Sequence, residues 1–257
     1  MKSIFYSLSA AVLLFASFSA NAQETEKTEI KKSEYIPRNI IKTNLTGILF
    51  RNYSLQYERV ITRRFSASLE YRLMPEGPIP AAGTISDLLF KDNLDVANSI
   101  DGFRMKGSAI TPSVRFYPTR KGYGRGFYVS AFYRNVSYDM TIPDYTYDDG
   151  KEKISLKGDL KTNTFGFTIG KQWTIGRFFV IDYTIFGLQY GSASGNLTAT
   201  NSQPLTADQQ NTLRSSLESL DIPFVEKQVE VGATRSNLAI SGPWAGFRTG
   251  VSIGIRF

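Results

Sequence analysis

From residue 39 onward, hydrophobic side chains recur at every second position. Successive side chains of a β-strand point to opposite sides, so a period of two marks a strand with one apolar face. Eight such segments can be read. The first, 39–49, sets Ile41, Thr43, Leu45 and Leu49 against Lys42, Asn44 and Thr46. The second, 52–60, sets Tyr53, Leu55 and Tyr57 against Ser54, Gln56 and Glu58. The third, 64–74, sets Phe65, Ala67, Leu69, Tyr71 and Leu73 against Ser66, Ser68, Glu70 and Arg72. The fourth, 106–117, sets Ile110, Val114 and Phe116 against Thr111, Ser113 and Arg115. Pro112 cannot donate a ladder hydrogen bond, so a bulge or a shortened strand is expected there.

The fifth, 126–140, sets Phe127, Val129, Ala131 and Tyr133 against Tyr128, Ser130, Phe132 and Arg134. The sixth, 154–171, sets Phe165, Phe167 and Ile169 against Thr164, Gly166, Thr168 and Gly170. The seventh, 178–191, is less clean, with Phe179, Ile181, Tyr183 and Ile185 against Val180, Asp182, Thr184 and Phe186. The eighth, 247–257, sets Phe247, Val251, Ile253, Ile255 and Phe257 against Arg248, Gly250, Ser252, Gly254 and Arg256.

An even number of amphipathic strands fits a closed antiparallel barrel, and the links alternate in length as in an outer-membrane barrel. Those at 61–63, 118–125 and 172–177 are short, and those at 75–105, 141–153 and 192–245 are long. Only the link near Arg51 breaks the rule. The expected fold is therefore all-β: an eight-stranded antiparallel transmembrane β-barrel with short periplasmic turns and long extracellular loops. Thr206-Ala207-Asp208-Gln209 reads as a helical capping box, followed by Leu213, Leu217 and Leu220 at helical spacing. A shorter helix is expected over Ile85, Leu88, Leu89 and Phe90.

The period cannot say which face points inward. A soluble carrier barrel would turn its apolar face to a ligand and its polar face to water. The composition of the polar face argues the reverse. It gathers Lys42, Glu58, Glu70, Arg72, Arg115, Arg134, Asp182, Arg248 and Arg256 among Ser, Thr and Gly, while the apolar face is nearly charge-free. Opposed charges and small polar residues suit the narrow filled lumen of an eight-stranded membrane barrel. These nine residues are the expected lumen charge network, a salt-bridged plug rather than a pore.

Two absences bear on chemistry. There is no Cys, which removes disulfides, thiolate metal sites and lipid attachment through an N-terminal Cys. There is no His, the side chain that shuttles protons near neutrality. Barrel enzymes of the outer membrane resemble one another in setting a His beside a Ser or Asp, so no enzyme, cofactor or metal is expected. The formal charge is +7, or +6 without the first 22 residues, which carry Lys2 and no acid. That charge is spread along the chain, so nucleic acid is not an expected partner. After residue 22 no run of 18 apolar residues occurs, which excludes a helical membrane protein.

The first 22 residues read as a cleaved signal peptide. Lys2 is followed by the apolar run Ala10 to Ala16, and Ala20-Asn21-Ala22 forms the cleavage pattern. Residues 23–38 read as a flexible periplasmic lead-in, and 39–257 as the barrel.

Phe257, on the alternation of Val251, Ile253 and Ile255, resembles the C-terminal assembly signal of outer-membrane barrels. Ile41-Lys42-Thr43-Asn44-Leu45, Ser54-Leu55-Gln56-Tyr57-Glu58, Val114-Arg115-Phe116-Tyr117-Pro118 and Gly126-Phe127-Tyr128-Val129 resemble an uncharacterised family of Bacteroidetes outer-membrane barrels. That resemblance covers most of the chain from 39 on. It implies a fold and a membrane, and no activity.

Two surface features are weaker signals. Asp144-Tyr145-Thr146-Tyr147-Asp148-Asp149-Gly150 mixes acids with aromatics but lacks a full calcium-loop pattern, and reads as a solvated loop. Lys151, Lys153, Lys157 and Lys161 could meet lipopolysaccharide phosphates. The expected function is that of a non-enzymatic outer-membrane barrel with a structural or surface-interaction role. Its expected partners are outer-membrane lipid, lipopolysaccharide and the barrel-assembly machinery. The alternatives are a narrow channel or small-solute transporter, a soluble periplasmic ligand carrier, and a lipid-modifying barrel enzyme lacking His.

Overall fold

The computed structural model describes residues 37–78, 103–119, 121–147, 152–219 and 224–257. The expected signal peptide, the lead-in up to residue 36 and the helix near Ile85 lie outside them.

Eight strands close into a ring. They are β1 (Asn39–Asn44), β2 (Tyr53–Val60), β3 (Phe65–Pro78), β4 (Arg104–Phe116), β5 (Gly126–Tyr147), β6 (Glu152–Ile175), β7 (Phe179–Asn201) and β9 (Arg235–Arg256). Each pairs antiparallel with the next, and β9 returns to β1. The short β8 (Glu226–Val231) lies outside the ring on the edge of β9. Among the described residues two helices interrupt the strands, α1 (Leu45–Leu49) and α2 (Ala207–Ser219).

The register sets the tilt. The row through Ile40 passes Glu58, Ser68, Ser113, Phe132, Gly166 and Gln189 and ends at Gly246. Ile40 itself pairs with Arg256, ten residues from Gly246. Such a stagger tilts the strands and gives a barrel narrow enough for side chains to fill. It also makes each successive strand climb. The short-link ends are nearly flush, but the other ends step upward from β1 to β9.

The strands on that side are far longer than a bilayer needs. A tilted membrane strand takes about 9–11 residues. β5, β6, β7 and β9 have 22, 24, 23 and 22 residues. Their upper halves continue beyond the ring as one blade, with β8 added at its edge. The links expected at 141–153 and 192–245 are therefore mostly strand, with α2 and β8 in the second. Asp144–Tyr147 belongs to β5, so the expected acidic-aromatic loop begins as strand, and residues 148–150 lie outside the described ones. The capping box forms as expected, Gln209 Oε1 accepting from the Thr206 N–H at 2.8 Å and Thr206 Oγ1 from the Gln209 N–H at 3.4 Å.

Three expectations of strand geometry are corrected. The first strand stops at Asn44, whose Oδ1 accepts from the Gly47 N–H at 2.8 Å and caps α1. Local capping wins because β1 has no partner on β9 above Ser252. Pro112 interrupts the β4–β5 ladder without bulge or shortening: Ile110↔Asn135 and Ser113↔Phe132 hold the same register across it. A bulge instead falls in β7. The β7–β9 register shifts between Thr184 and Gly187, and both Ile185 and Phe186 face outward. Phe186, expected on the inner face, is 45% exposed. This phase slip is why the seventh segment alternates poorly.

Burial is inverted relative to a water-soluble protein. Lys42, Glu58, Thr164, Gln172, Asp182 and Arg256 are among the most buried residues. Leu55, Leu69, Tyr71, Val114, Phe127, Phe165, Phe167 and Phe247 are exposed on the outer face. A contiguous apolar exterior of this extent requires a non-aqueous surrounding. The protein has the architecture of an outer-membrane β-barrel, and a soluble carrier barrel, with its reversed faces, does not fit.

Candidate functional site

Among the described residues, buried ionisable side chains converge in the lumen, because every strand of the ring turns its polar face there. It is organised in levels.

At the short-link end the turn between β4 and β5 folds across the opening. Gly122, Tyr123, Gly124 and Gly126 have positive φ, a conformation glycine adopts at little cost. Gln172 donates to the Gly124 carbonyl at 2.7 Å, and Arg256 donates to the Tyr123 carbonyl and, at 3.3 Å, to Thr174 Oγ1. Ile40, Val60 and Val180 form a small apolar cluster with Tyr123 at this floor.

Directly above lies the first charged level. Lys42 Nζ sits 2.6 Å from Glu58 Oε2 and 2.6 Å from Asp182 Oδ2, and donates to Gln172 Oε1 at 2.7 Å. Arg115 Nη1 lies 2.6 Å from Asp182 Oδ2 and 3.4 Å from Glu58 Oε2. The remaining carboxylate oxygens are also satisfied. Ser66 and Tyr117 donate to Glu58 Oε1 at 2.6 and 2.8 Å, and Tyr128 donates to Asp182 Oδ1 at 2.9 Å. The Arg115 guanidinium stacks over the Tyr128 ring, 4.3 Å from its centroid. Two cations thus face two anions, each anion carrying further donors. This is the condition under which a buried ion pair can be tolerated.

Glycine makes room for the rings that complete this level. A Cβ on Gly170 would lie 2.4 Å from the Tyr128 hydroxyl, and one on Gly166 2.6 Å from the Phe132 ring. Above the charges only a small cavity of about 40 Å³ remains, lined by Ser54, Gln56, Thr111, Ser130 and Thr168 among others. That is room for a few waters, and Glu70 and Arg248 line the same cavity from above.

The second charged level holds Glu70, Arg72, Arg134 and Arg248. Arg248 Nη2 lies 2.7 Å from Glu70 Oε2, and its guanidinium stands 5.0 Å from the centre of the Phe132 ring. Arg72 donates to the Tyr138 hydroxyl at 2.7 Å.

The nine expected lumen residues therefore divide. Lys42, Glu58, Arg115 and Asp182 are brought together, Glu70 pairs with Arg248 above them, and Arg72 and Arg134 stand beside that pair. Arg256 does not join either group and has no ion pair among the described residues. Tyr117, Tyr128, Gln172 and Ser66 complete the lower level and were not singled out in the sequence. Gln172 was within reach, since it continues the inward phase of Thr168 and Gly170 by one step. Of the expected assembly residues, Ile255 and Phe257 are exposed on the outer face, and Val251 and Ile253 are half-buried. Lys157 and Lys161 lie exposed on β6, with Lys157 lining an open pocket of the blade beside Asp139 and Asp159. No cluster of metal-ligating residues occurs among the described residues.

No protein-family model and no curated protein matches the chain. Among solved structures it is similar to CarO2 of Acinetobacter baumannii, with 14% identity over 81% of this chain and 99% of that one, and a TM-score of 0.34. It is similar to the outer membrane protease OmpT of Escherichia coli, with 7% identity over 91% and 100%, and a TM-score of 0.39. It is also similar to the translocator domain of the autotransporter NalP from Neisseria meningitidis, with 8% identity over 100% and 97%, and a TM-score of 0.31. The expectation of a non-enzymatic protein is overturned here. One of these barrels is a protease, so the architecture does not speak against catalysis. At 7% identity the likeness assigns no activity to this chain either.

Proposed function

We propose that this chain is an outer-membrane barrel with a closed lumen, whose role is structural or in surface interaction through the blade. The observation that carries the reading is the buried level of Lys42, Glu58, Arg115 and Asp182. Its 2.6 Å contacts bridge β1, β2, β4 and β7 across the lumen. An ion or solute would have to break several charge-assisted bonds at once to pass. The turn that carries Tyr123 blocks the same path a second time.

In this reading the chain is exported by residues 1–22 and takes lipid and lipopolysaccharide as its surroundings. The apolar outer face that includes Ile255 and Phe257 is what the assembly machinery meets. The flush, short-link end faces the periplasm, and the blade of β5 to β9 stands on the outside. The motifs similar to the Bacteroidetes barrels lie on β1, β2, β4 and β5, where the lower charged level is built. Planar-bilayer recording of the purified protein tests closure. The expected trace shows no unitary steps, and reproducible, ion-selective steps would favour the channel reading instead.

A further inference from the structure

We propose that the upper charged level is a binding site for a phosphate-class oxyanion, gripped by the guanidinium groups of Arg72, Arg134 and Arg248. The site does not depend on the blade or on closure below. The lower level sets two cations against two carboxylates, but the upper one sets three guanidinium groups against the single carboxylate of Glu70. The tilt of the ring brings Arg72 on β3, Arg134 on β5 and Arg248 on β9 to one height.

Arg134 is the informative member. It is 6% exposed, and among the described residues its guanidinium has neither a hydrogen bond nor an ion pair within 4.0 Å. The charges that act on it are Arg248 and Arg72, which repel it, and Glu70, which Arg248 already holds. Arg72 spends one nitrogen on Tyr138, and its Nε has no partner. Three guanidinium groups share the one carboxylate of Glu70, so two positive charges are in surplus in a largely buried place, which is costly. A tetrahedral dianion supplies that missing charge. Its oxygens also match the planar fork of arginine, which binds phosphate in pairs of parallel hydrogen bonds.

The level can be reached. The Arg248 and Glu70 side chains are 22% and 12% exposed. β1 ends at Asn44, so above Ser252 it is α1 that packs against β9, Thr46 Oγ1 accepting from the Val251 N–H at 3.0 Å. The same phosphate chemistry could arrive as a soluble anion through the mouth or as a lipid headgroup through this seam.

The test is a calorimetric titration of the full chain, folded in detergent, with sodium phosphate at constant ionic strength. One saturable site is expected. Arg134→Gln and Arg72→Gln should each weaken it at least ten-fold, while Arg235→Gln, exposed on the blade, changes it less than two-fold. Thermal unfolding keeps the test independent of misfolding. Without phosphate, Arg134→Gln should be at least as heat-resistant as the wild type, and it should lose the stabilisation that phosphate gives. A second arm repeats the titration in phosphatidylcholine nanodiscs with and without phosphatidic acid. Competition by phosphatidic acid identifies the headgroup as occupant, and its absence identifies the soluble anion. The proposal is overturned by no saturable binding in either arm or by binding undiminished in Arg134→Gln. It is equally overturned by an Arg134→Gln protein that unfolds more readily in phosphate-free buffer, because Arg134 would then be a structural counterion of Glu70.

Discussion

The Lys42 ammonium and the Asp182 carboxylate meet at 2.6 Å although 140 residues separate them. β1 and β7 are not neighbours in the sheet, since β9 lies between them. The pair therefore ties the two sides of the closing seam through the lumen, where the β1–β9 ladder is only five residue pairs long. Side-chain charge thus spans this seam in addition to its backbone hydrogen bonds.

Removing one member of this level should be costly. Lys42→Met leaves Glu58 and Asp182 facing each other with Arg115 as their only cation. The expected loss is about 3–5 kcal/mol, the range for an orphaned buried charge. The double variant Lys42→Met, Asp182→Asn keeps the Arg115–Glu58 pair and should recover most of it. Urea unfolding in detergent, followed by tryptophan fluorescence, measures both.

The outer face should reject charge. Leu69 is outward on β3 between Tyr57 and Pro112. Leu69→Arg should destabilise the folded protein in lipid vesicles by about 2–4 kcal/mol, the cost of an arginine near the midplane of a barrel. If the face were wetted, the change would fall within about 0.5 kcal/mol, as for ordinary surface positions.

The lower level should be intolerant of added volume. A Cβ on Gly170 would also meet the Tyr183 carbonyl oxygen at 2.6 Å, so neither a ring nor the backbone can yield freely. Gly170→Ala should cost about 1–3 kcal/mol by overpacking. On the blade, a Cβ at Gly158 meets nothing closer than 3.4 Å, and Gly158→Ala should be nearly neutral. Thermal unfolding of the two variants side by side reads the difference.

These contrasts also show what was legible in the sequence. Within the lipid belt the alternation is enforced by two immiscible surroundings, so the inward phase of Tyr128, Ser130, Phe132 and Arg134 could be read directly. Above the belt that pressure vanishes. Ser192-Ala193-Ser194 and Thr198-Ala199-Thr200 carry no apolar face, and the upper half of β7 looked like loop. Leu45 and Leu49 kept the strand period by chance, while the local capping of Asn44 onto Gly47 decided for a helix. The phase slip at Ile185 and Phe186 hides in two adjacent apolar residues. Which lumen charges pair could not be read at all. That depends on the stagger of the ring, which places Arg248 beside Glu70 and leaves Arg256 at the floor.

An insertion in the blade should be harmless to folding and visible from outside. The turn between β8 and β9, at Gly232 to Thr234, lies at the tip of the blade and away from the ring. An epitope placed there should be labelled by antibody on intact cells. Labelling only after permeabilisation would reverse the orientation proposed for the barrel.

The barrel is inside out, with charge within and an apolar face without. Folding of the purified chain with and without detergent measures this most directly. Folding is expected only in detergent or lipid, with an unheated form that migrates faster on a gel than the boiled one. A monomer that folds in plain buffer and stays soluble would contradict it.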